Sequence, residues 1–391
     1  MGISLGIVGL GSFGSSFVDL FAAHPLVDRI ALCDREADRI AVHVESPAVQ
    51  AKFQPSDAYD SLDAICQSDL DAIAIITQPW LHAPQAIQVL QSGKHVYSAV
   101  PVISIPDSDE ILEWCDKLVS TVERTGLHYM LGETTYYRSE TVFCRKQAAA
   151  GAFGHFVYSE GEYLHDVDSP NSNLRAVQKR RLNSAAGREW LAHMKQVQKT
   201  ASGIYISPMH YPTHSTSGPM SVMGAHAVNV SAFGYRDPNQ DEYYGDNFSN
   251  ETALFQMSNG TTMRICEFRQ IGHKGIETLR VFGTEGSFRD NQWVDRASAK
   301  PISVDTMRDP LPAEVETDYQ SVSRSSNIYG GHGGSHAYLV HEFVDAIAHD
   351  RIPAINVWEA VRYMAAGVVA HQSALRDGER LTVPDWGDAP S

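Results

Sequence analysis

The sequence predicts an α/β protein in two parts: an N-terminal doubly wound parallel sheet, and a C-terminal α+β domain with a large, mostly antiparallel open sheet. Three observations carry that prediction. From residue 1 to about 131, short β-rich apolar runs alternate with helix-period segments, the pattern of a parallel sheet with crossover helices. Beyond Glu133 the alternation stops and Gly-punctuated strands follow one another. At 391 residues the chain is too long for one ordinary core and suits two. The division is placed between residues 132 and 133, with the C-terminal helices free to pack back on the first part.

The strands read in the first part are Ile3 to Val8, Arg29 to Cys33, Ala72 to Thr77, His95 to Tyr97 and His128 to Leu131. Helices are expected at Phe13 to Ala23, Tyr59 to Gln67, Ala83 to Ser92 and Asp107 to Glu123. In the second part a helix near Thr141 to Ala150 precedes strands at Phe156 to Tyr163, Ala225 to Tyr235, Ser249 to Met257, Thr261 to Phe268 and Glu277 to Phe282. Asn259-Gly260 predicts a type I′ hairpin turn between two of them. Helix returns at Ala337 to His349 and Val357 to Leu375.

Composition excludes several classes of function. The 47 acidic residues outnumber the 31 basic ones, giving a formal charge of −16, and no dense Lys/Arg cluster offers a footprint for nucleic acid. Apolar runs fall short of the ~20 residues that span a bilayer, so no membrane partner is expected. Cys33, Cys66, Cys115, Cys144 and Cys266 are widely spaced, odd in number and without a C-x-x-C pair, as expected of reduced thiols in a cytoplasmic protein. No basic, apolar, cleavable leader pattern opens the sequence.

Gly9-Leu10-Gly11-Ser12-Phe13-Gly14 follows the first strand and opens the first helix, the context that makes G-x-G-x-x-G a dinucleotide-binding fingerprint. Gly9 permits the tight turn, Gly11 admits the pyrophosphate to the backbone, and Gly14 lets helix pack on strand; Ser12 and Phe13 complete the loop. The first part is therefore read as a Rossmann domain. Asp34, at the end of the second strand, can accept hydrogen bonds from the adenosine ribose and would repel a 2′-phosphate, which favours NAD. Arg35 argues the other way, since a guanidinium there could bind the extra phosphate of NADP or lie over the adenine.

Ile75-Ile76-Thr77-Gln78-Pro79, His82, and Gly93-Lys94-His95-Val96-Tyr97-Ser98 resemble the fourth and fifth strands of the Gfo/Idh/MocA oxidoreductases, sugar and inositol dehydrogenases among them. Gly283-Thr284-Glu285-Gly286-Ser287 extends the resemblance into the second part. The resemblance implies cofactor contacts from Thr77, Gln78, Pro79, His82, Ala99 and Val100, a reacting centre between the domains, and a homo-oligomer, dimer or tetramer, formed through the open sheet. In that family the fifth strand commonly leads into Glu-Lys-Pro, whose lysine takes part in proton transfer. Here the run is Ala99-Val100-Pro101, and valine carries no proton.

The family's second catalytic element is an Asp followed four residues later by a His on one helix face. His214 matches that histidine in Met209-His210-Tyr211-Pro212-Thr213-His214, and His210 stands where the aspartate would. With Pro212 in the first helical turn, the i, i+4 spacing would point both rings the same way. His214 is the leading general acid/base, because an imidazole titrates near neutral pH; His210 would support it or bind substrate. Glu160 and Glu162 would share a strand face, close to His165. Together with His210 and His214 they are candidates to hold a divalent metal in place of the lysine charge, the alternative being a metal-free polar pocket. Tyr137, Arg138, Glu162, His165 and His336 are candidate substrate contacts, with an interdomain hinge and a helix cap as the other readings of Tyr137-Arg138 and His336.

Three functions remain open. The first is an NAD-dependent oxidoreductase acting on a secondary hydroxyl of a sugar, glycoside or cyclitol, with His214 as acid/base. The second keeps NAD but cleaves a glycoside by transient ring oxidation and elimination, as some relatives that the chain resembles do. The third is a non-catalytic NAD(H)-binding sensor or subunit.

Overall fold

The computed structural model describes residues 2–170, 173–198, 206–322 and 329–390. The first sheet comprises β1 (Ile3–Val8), β2 (Val27–Cys33), β3 (Ala58–Tyr59), β4 (Ala72–Ile75), β5 (His95–Ala99) and β6 (Tyr129–Gly132). Its order is β3-β2-β1-β4-β5-β6 and every neighbouring pair is parallel. That order reverses direction beside β1, which is where doubly wound sheets open a crevice for a dinucleotide. β4 is buried at every position, so it reads as a continuous apolar run because helices cover both faces.

The crossover helices are α1 (Ser15–Ala23), α2 (Ala37–Val44), α3 (Pro47–Gln50), α4 (Leu62–Cys66), α5 (His82–Gln91) and α6 (Ser108–Thr125). α1 begins at Ser15 rather than Phe13, because Gly14 is its N-cap and Phe13 belongs to the turn. α2 and α3 carry no helical signal in the sequence; α2 buries only Ile40, too little apolar surface to give a period. α6 has the expected ends: the Asp107 side chain accepts from Glu110 N, and Gly126 closes the helix in the left-handed conformation at φ 67°.

The second sheet has nine strands: β7 (Phe156–Leu164), β8 (Ala227–Tyr235), β9 (Asn250–Met257), β10 (Thr262–Phe268), β11 (Ile276–Gly283), β12 (Gly286–Arg289), β13 (Gln292–Asp295), β14 (Ala299–Pro301) and β15 (Leu381–Thr382). Their order is β14-β13-β12-β11-β7-β10-β9-β8-β15. All neighbours are antiparallel except β7 and β10, so the sheet is the mostly antiparallel one expected. The β9–β10 turn corrects one expectation. Only Gly260 has positive φ, at 84°, and Met257 N bonds Thr261 O across Ser258-Asn259-Gly260. The connection is a three-residue loop with glycine at its left-handed position, not a two-residue type I′ turn.

Helices α7 (Ser139–Ala149), α8 (Leu174–Asn183), α9 (Ala185–Gln198), α10 (Thr213–Met223), α11 (Val304–Met307), α12 (Ala313–Val322), α13 (Gly331–Ala348) and α14 (Val357–Ala374) follow among the described residues. α10 lies on one face of the second sheet directly over Gly161, where a Cβ would come within 1.9 Å of Ser215 O. α14 is buried along almost its whole length and packs on both α6 and β8, while α13 packs on α1. One apolar core therefore runs through both parts. Among the described residues, no helix is long and apolar enough to cross a membrane.

Candidate active site

The glycine loop after β1 shows which of its glycines the fold itself requires. Gly9 has φ 93°, and a Cβ there would meet Ile76 O at 2.4 Å; a Cβ on Gly14 would meet Gly9 O at 1.9 Å. Gly11 differs: its φ is ordinary, and the nearest atom to a Cβ would be Arg39 Nη1 at 3.9 Å. The chain's own packing gives no reason for glycine at position 11, whereas a pyrophosphate approaching the backbone does. At the end of β2 the Asp34 carboxylate accepts hydrogen bonds from Leu10 N at 2.8 Å and Glu36 N at 2.9 Å, which fixes it beside the loop with lone pairs to spare. This cradle fits a dinucleotide.

Beside it, α10 carries His214, 5 % exposed, and β6 runs into Glu133, which is fully buried. His214 Nδ1 donates to Glu133 Oε1 at 2.9 Å, and Glu133 also accepts from Thr135 N at 2.8 Å. The carboxylate fixes the ring's orientation and its tautomer, leaving Nε2 as the nitrogen that can exchange a proton. Burial alone would lower the imidazole, but Glu133, helped by Glu277 and Glu267, outweighs it and raises His214 to about 9. Glu277 accepts from Thr135 Oγ1 at 2.7 Å and pairs with Arg138 at 2.6 Å; against burial, His214 and Arg138 hold it down at about 2. Burial pushes Glu267 up to about 7 despite its contacts with Arg269 and Ser215.

Aromatic rings enclose the dyad. Tyr163 lies 5.0 Å, Tyr211 5.6 Å and His332 6.2 Å from the His214 ring, centroid to centroid. Arg269 sits over the Tyr163 ring at 4.6 Å, and the Tyr163 hydroxyl bonds His165 Nδ1. Burial keeps both phenols protonated, with Tyr211 pushed up to about 12. His332 opens α13 at φ 51°, flanked by Gly333 and Gly334, also at positive φ. Gly331 N donates to His336 Nδ1 at 3.2 Å, so the proton of neutral His336 is on Nε2, which donates to His332 Nδ1 at 3.0 Å. Burial takes His336 to about 3 and lowers His332, so His332 is left with its proton on Nε2.

Models of the oxidoreductase family match this chain over residues 3–133 (NAD-binding Rossmann fold) and 182–383 (C-terminal alpha/beta domain). The chain belongs to the Gfo/Idh/MocA oxidoreductases. It is an enzyme of that family and binds NAD. A family 109 glycosyl hydrolase protein of Streptomyces niveus is 26 % identical over 98 % of the chain and 77 % of its own length. An alpha-N-acetylgalactosaminidase of Shewanella oneidensis is 22 % identical over 98 % and 85 %. Among solved structures, levoglucosan dehydrogenase in complex with NADH and levoglucosan has TM-score 0.71 and 17 % identity, covering 98 % of this chain and all of its own. Scyllo-inositol dehydrogenase of Lactobacillus casei with NAD(H) and scyllo-inositol has TM-score 0.66 and 16 % identity, over 98 % and 99 %.

In this Gfo/Idh/MocA chain the structure brings some expected site residues together and separates others. Gly9, Gly11, Ser12, Phe13, Gly14, Asp34 and Arg35 gather at the tips of β1 and β2. Thr77, Gln78 and Pro79 follow β4, and Thr77 Oγ1 donates to Gln85 at 2.6 Å. His82 turns inward, with Nδ1 2.9 Å from Pro101 O and Nε2 3.3 Å from Thr77 O, so it braces the Ala99-Val100-Pro101 loop. Tyr211 donates to Val100 O at 3.3 Å.

His210 is not on one helix face with His214. It ends a short 3-10 turn, Pro208–His210, while α10 starts at Thr213. Its Nδ1 is 2.9 Å from Ile105 O and its Nε2 2.9 Å from Ser108 Oγ, and burial holds it well below ordinary imidazole. The carboxylate that serves His214 comes from Glu133 instead. Glu160 and Glu162 lie on the sheet face opposite Gly161 and α10, where Arg264 and Arg280 pair with them at 2.7–3.6 Å. Glu162 therefore does not meet His214. Among the described residues no group of three or more His, Cys, Asp or Glu is placed to hold a metal. Tyr137 packs against Tyr136 and Tyr338, and Arg138 reaches the site only through Glu277. His165 lies beside Tyr163, and His336 acts through His332.

Glu133, Tyr163, Tyr211, Glu277 and His332 escaped the sequence reading as members of the acid/base centre. Two signals were available: Glu133 directly follows the last strand of the first sheet, at the edge where ligands bind, and Tyr211 lies in the same short run as His214.

Proposed function

We propose that this chain cleaves glycosides by transient, NAD-dependent oxidation of a ring hydroxyl, with His214 as the acid/base. The observation that carries the reading is the buried His214–Glu133 pair, which provides a positive charge in a family site where Val100 replaces lysine. When bound, NAD supplies a hydride acceptor that can give the hydride back. In the fraction of enzyme whose ring is neutral, which grows as pH rises towards about 9, His214 Nε2 takes the hydroxyl proton, while Glu133 holds Nδ1–H and balances the imidazolium so formed. A ring carbonyl acidifies the adjacent C–H, and the imidazolium beside its oxygen stabilises the negative charge that develops as that proton leaves to solvent. The glycosidic oxygen departs from the next carbon with a proton from solvent, water adds there while the carbon between regains a proton, and as the hydride returns His214 gives its proton back to the carbonyl oxygen. The Nε2–H of His332 donates a hydrogen bond into the same cleft, while the Tyr211 hydroxyl, whose proton goes to Val100 O, offers lone pairs there. The family 109 relatives support this reading.

Residues 1–132 hold the dinucleotide, through the glycine loop, Asp34 and the segments after β4 and β5; residues 133–391 hold the sugar or cyclitol ring and assemble copies of the chain through the open sheet face. Five free cysteines fit a cytoplasmic setting. A second reading, net dehydrogenation of a free sugar or cyclitol, draws on the fold shared with the levoglucosan and inositol dehydrogenases.

A panel of aryl glycosides and free sugars, incubated with enzyme and NAD in heavy water, separates the two. Glycoside cleavage without accumulating NADH, deuterium gained next to the oxidised carbon, and loss of about 10²-fold or more of the rate in His214→Ala are expected. Sustained NADH formation from free sugars with no glycoside cleavage would establish the second reading.

A further inference from the structure

Arg35 is the residue that leaves NAD and NADP in competition, and the structure shows what occupies it. Its guanidinium makes a two-pronged contact with Glu189 of α9: Nη1 to Oε2 at 3.0 Å and Nη2 to Oε1 at 2.8 Å. The next residue, Trp190, stacks on Trp80 with ring centroids 5.4 Å apart and planes 16° from parallel. Arg35 follows β2 and Trp80 follows β4, and in the sheet order β1 lies between those two strands. Strands two apart are separated by about 10 Å, a span that the side chains of adjacent residues on one helix can bridge. α9 therefore lies across the tip of β1, over the mouth of the glycine loop.

Arg35 and Arg39, at this end of the groove, are both already paired. Arg39 Nη2 pairs with Glu36 at 2.8 Å, and its Nη1, near Gly11, is 3.4 Å from Asp34. Two guanidiniums thus face three carboxylates, those of Asp34, Glu36 and Glu189. A 2′-phosphate needs an unoccupied fork and tolerates no surplus of negative charge. The Arg35–Glu189 pair is solvent-exposed and adds little to folding; its effect is on which anion Arg35 can accept.

We propose that Glu189 selects NAD over NADP, by holding Arg35 from across the groove so that its guanidinium is not free for a 2′-phosphate. Cofactor choice then rests on a residue more than 150 positions from the fingerprint as well as on Asp34.

The test is the dissociation constant of NADH and of NADPH, from fluorescence titration of the full-length enzyme, in wild type, Glu189→Gln, Glu189→Gln/Arg35→Ala and Trp190→Ala. Glu189→Gln is expected to tighten NADPH by about tenfold or more, with NADH within about twofold, the scale of one charged hydrogen bond. The gain should fade with added salt and vanish in the double variant. Trp190→Ala is expected to weaken both cofactors in proportion, leaving their ratio unchanged. An unchanged NADPH/NADH ratio in Glu189→Gln, whether both affinities hold or both fall, overturns the proposal, as does a gain that persists without Arg35.

Discussion

The carboxylate of Glu133 decides how His214 titrates, because burial acting alone would strip the ring of its second proton. His214 is raised to about 9 in the folded protein, against about 6.5 in an unfolded chain. Between those values the folded state holds the extra proton, so the stabilisation is complete below about pH 6.5 and is lost as pH rises through about 9. Glu133→Gln should abolish that slope; denaturant midpoints at pH 6, 7.5 and 9 check it. Glu267, raised to about 7, adds a loss of the same sign that is largely complete by pH 7.5, so the interval from pH 7.5 to 9 isolates His214. The same variant should move the rising limb of the pH–rate profile downwards and lower the maximal rate by about 10²-fold or more, because the ring loses both its counter-charge and its fixed tautomer. His214 was legible in the sequence because it sits in a local run with a matching family histidine. Glu133 was not, since 81 positions separate the partners and only the fold joins them; adjacency instead offered His210, whose nitrogens serve Ile105 and Ser108.

α10 reaches the site because β7 has no side chain at Gly161. A Cβ there would sit 1.9 Å from the carbonyl oxygen of Ser215, the residue after His214. Gly161→Ala must lift the start of the helix, and overpacking of this kind costs about 1–3 kcal/mol. Catalysis should fall by about tenfold or more from the displaced imidazole, with NADH affinity unchanged, since the glycine loop belongs to the other sheet. Equal activity of the variant and wild type would show that α10 finds another seat. The longer elements were readable: β1, β4, β7, β9 and β10 appear where apolar runs and alternation put them, as do α5, α6 and α14, whereas the short strands β3 and β12 to β15 gave no signal. α10 gave no such signal, because Thr213–Met223 is rich in Ser and Thr, contains Pro219, and is buried on almost every side, which removes the polar face that a period needs. α8 and α9 were missed for the opposite reason. α8 buries no residue at all, and its neighbour carries Glu189 and Trp190 across the cofactor groove.

The nine-stranded sheet keeps one face under α10 and, among the described residues, leaves the other uncovered, and that asymmetry bears on how copies of the chain associate. On the bare face the register sets Ser231, Leu254, Arg264, Glu160 and Arg280 in one row, and Phe233, Thr252, Cys266, Glu162 and Thr278 in the next. Leu254 and Phe233 are exposed, as are Tyr235 and Ile276 farther along the same face. The two arginines and two glutamates between them are paired with each other. A second copy can cover the face without stranding a charge, whereas the exposed aromatic and aliphatic side chains gain by leaving water. A symmetric pairing places the same patch on both partners, so one substitution acts twice. Sedimentation of the wild-type protein should give a dimer or tetramer. Leu254→Glu combined with Phe233→Glu should shift it to the monomer while NADH binding persists, because the glycine loop lies on the other sheet. A wild-type protein that sediments as a monomer at all concentrations would remove the open face from assembly, and would leave the exposed Leu254 and Phe233 without a partner of the chain's own kind.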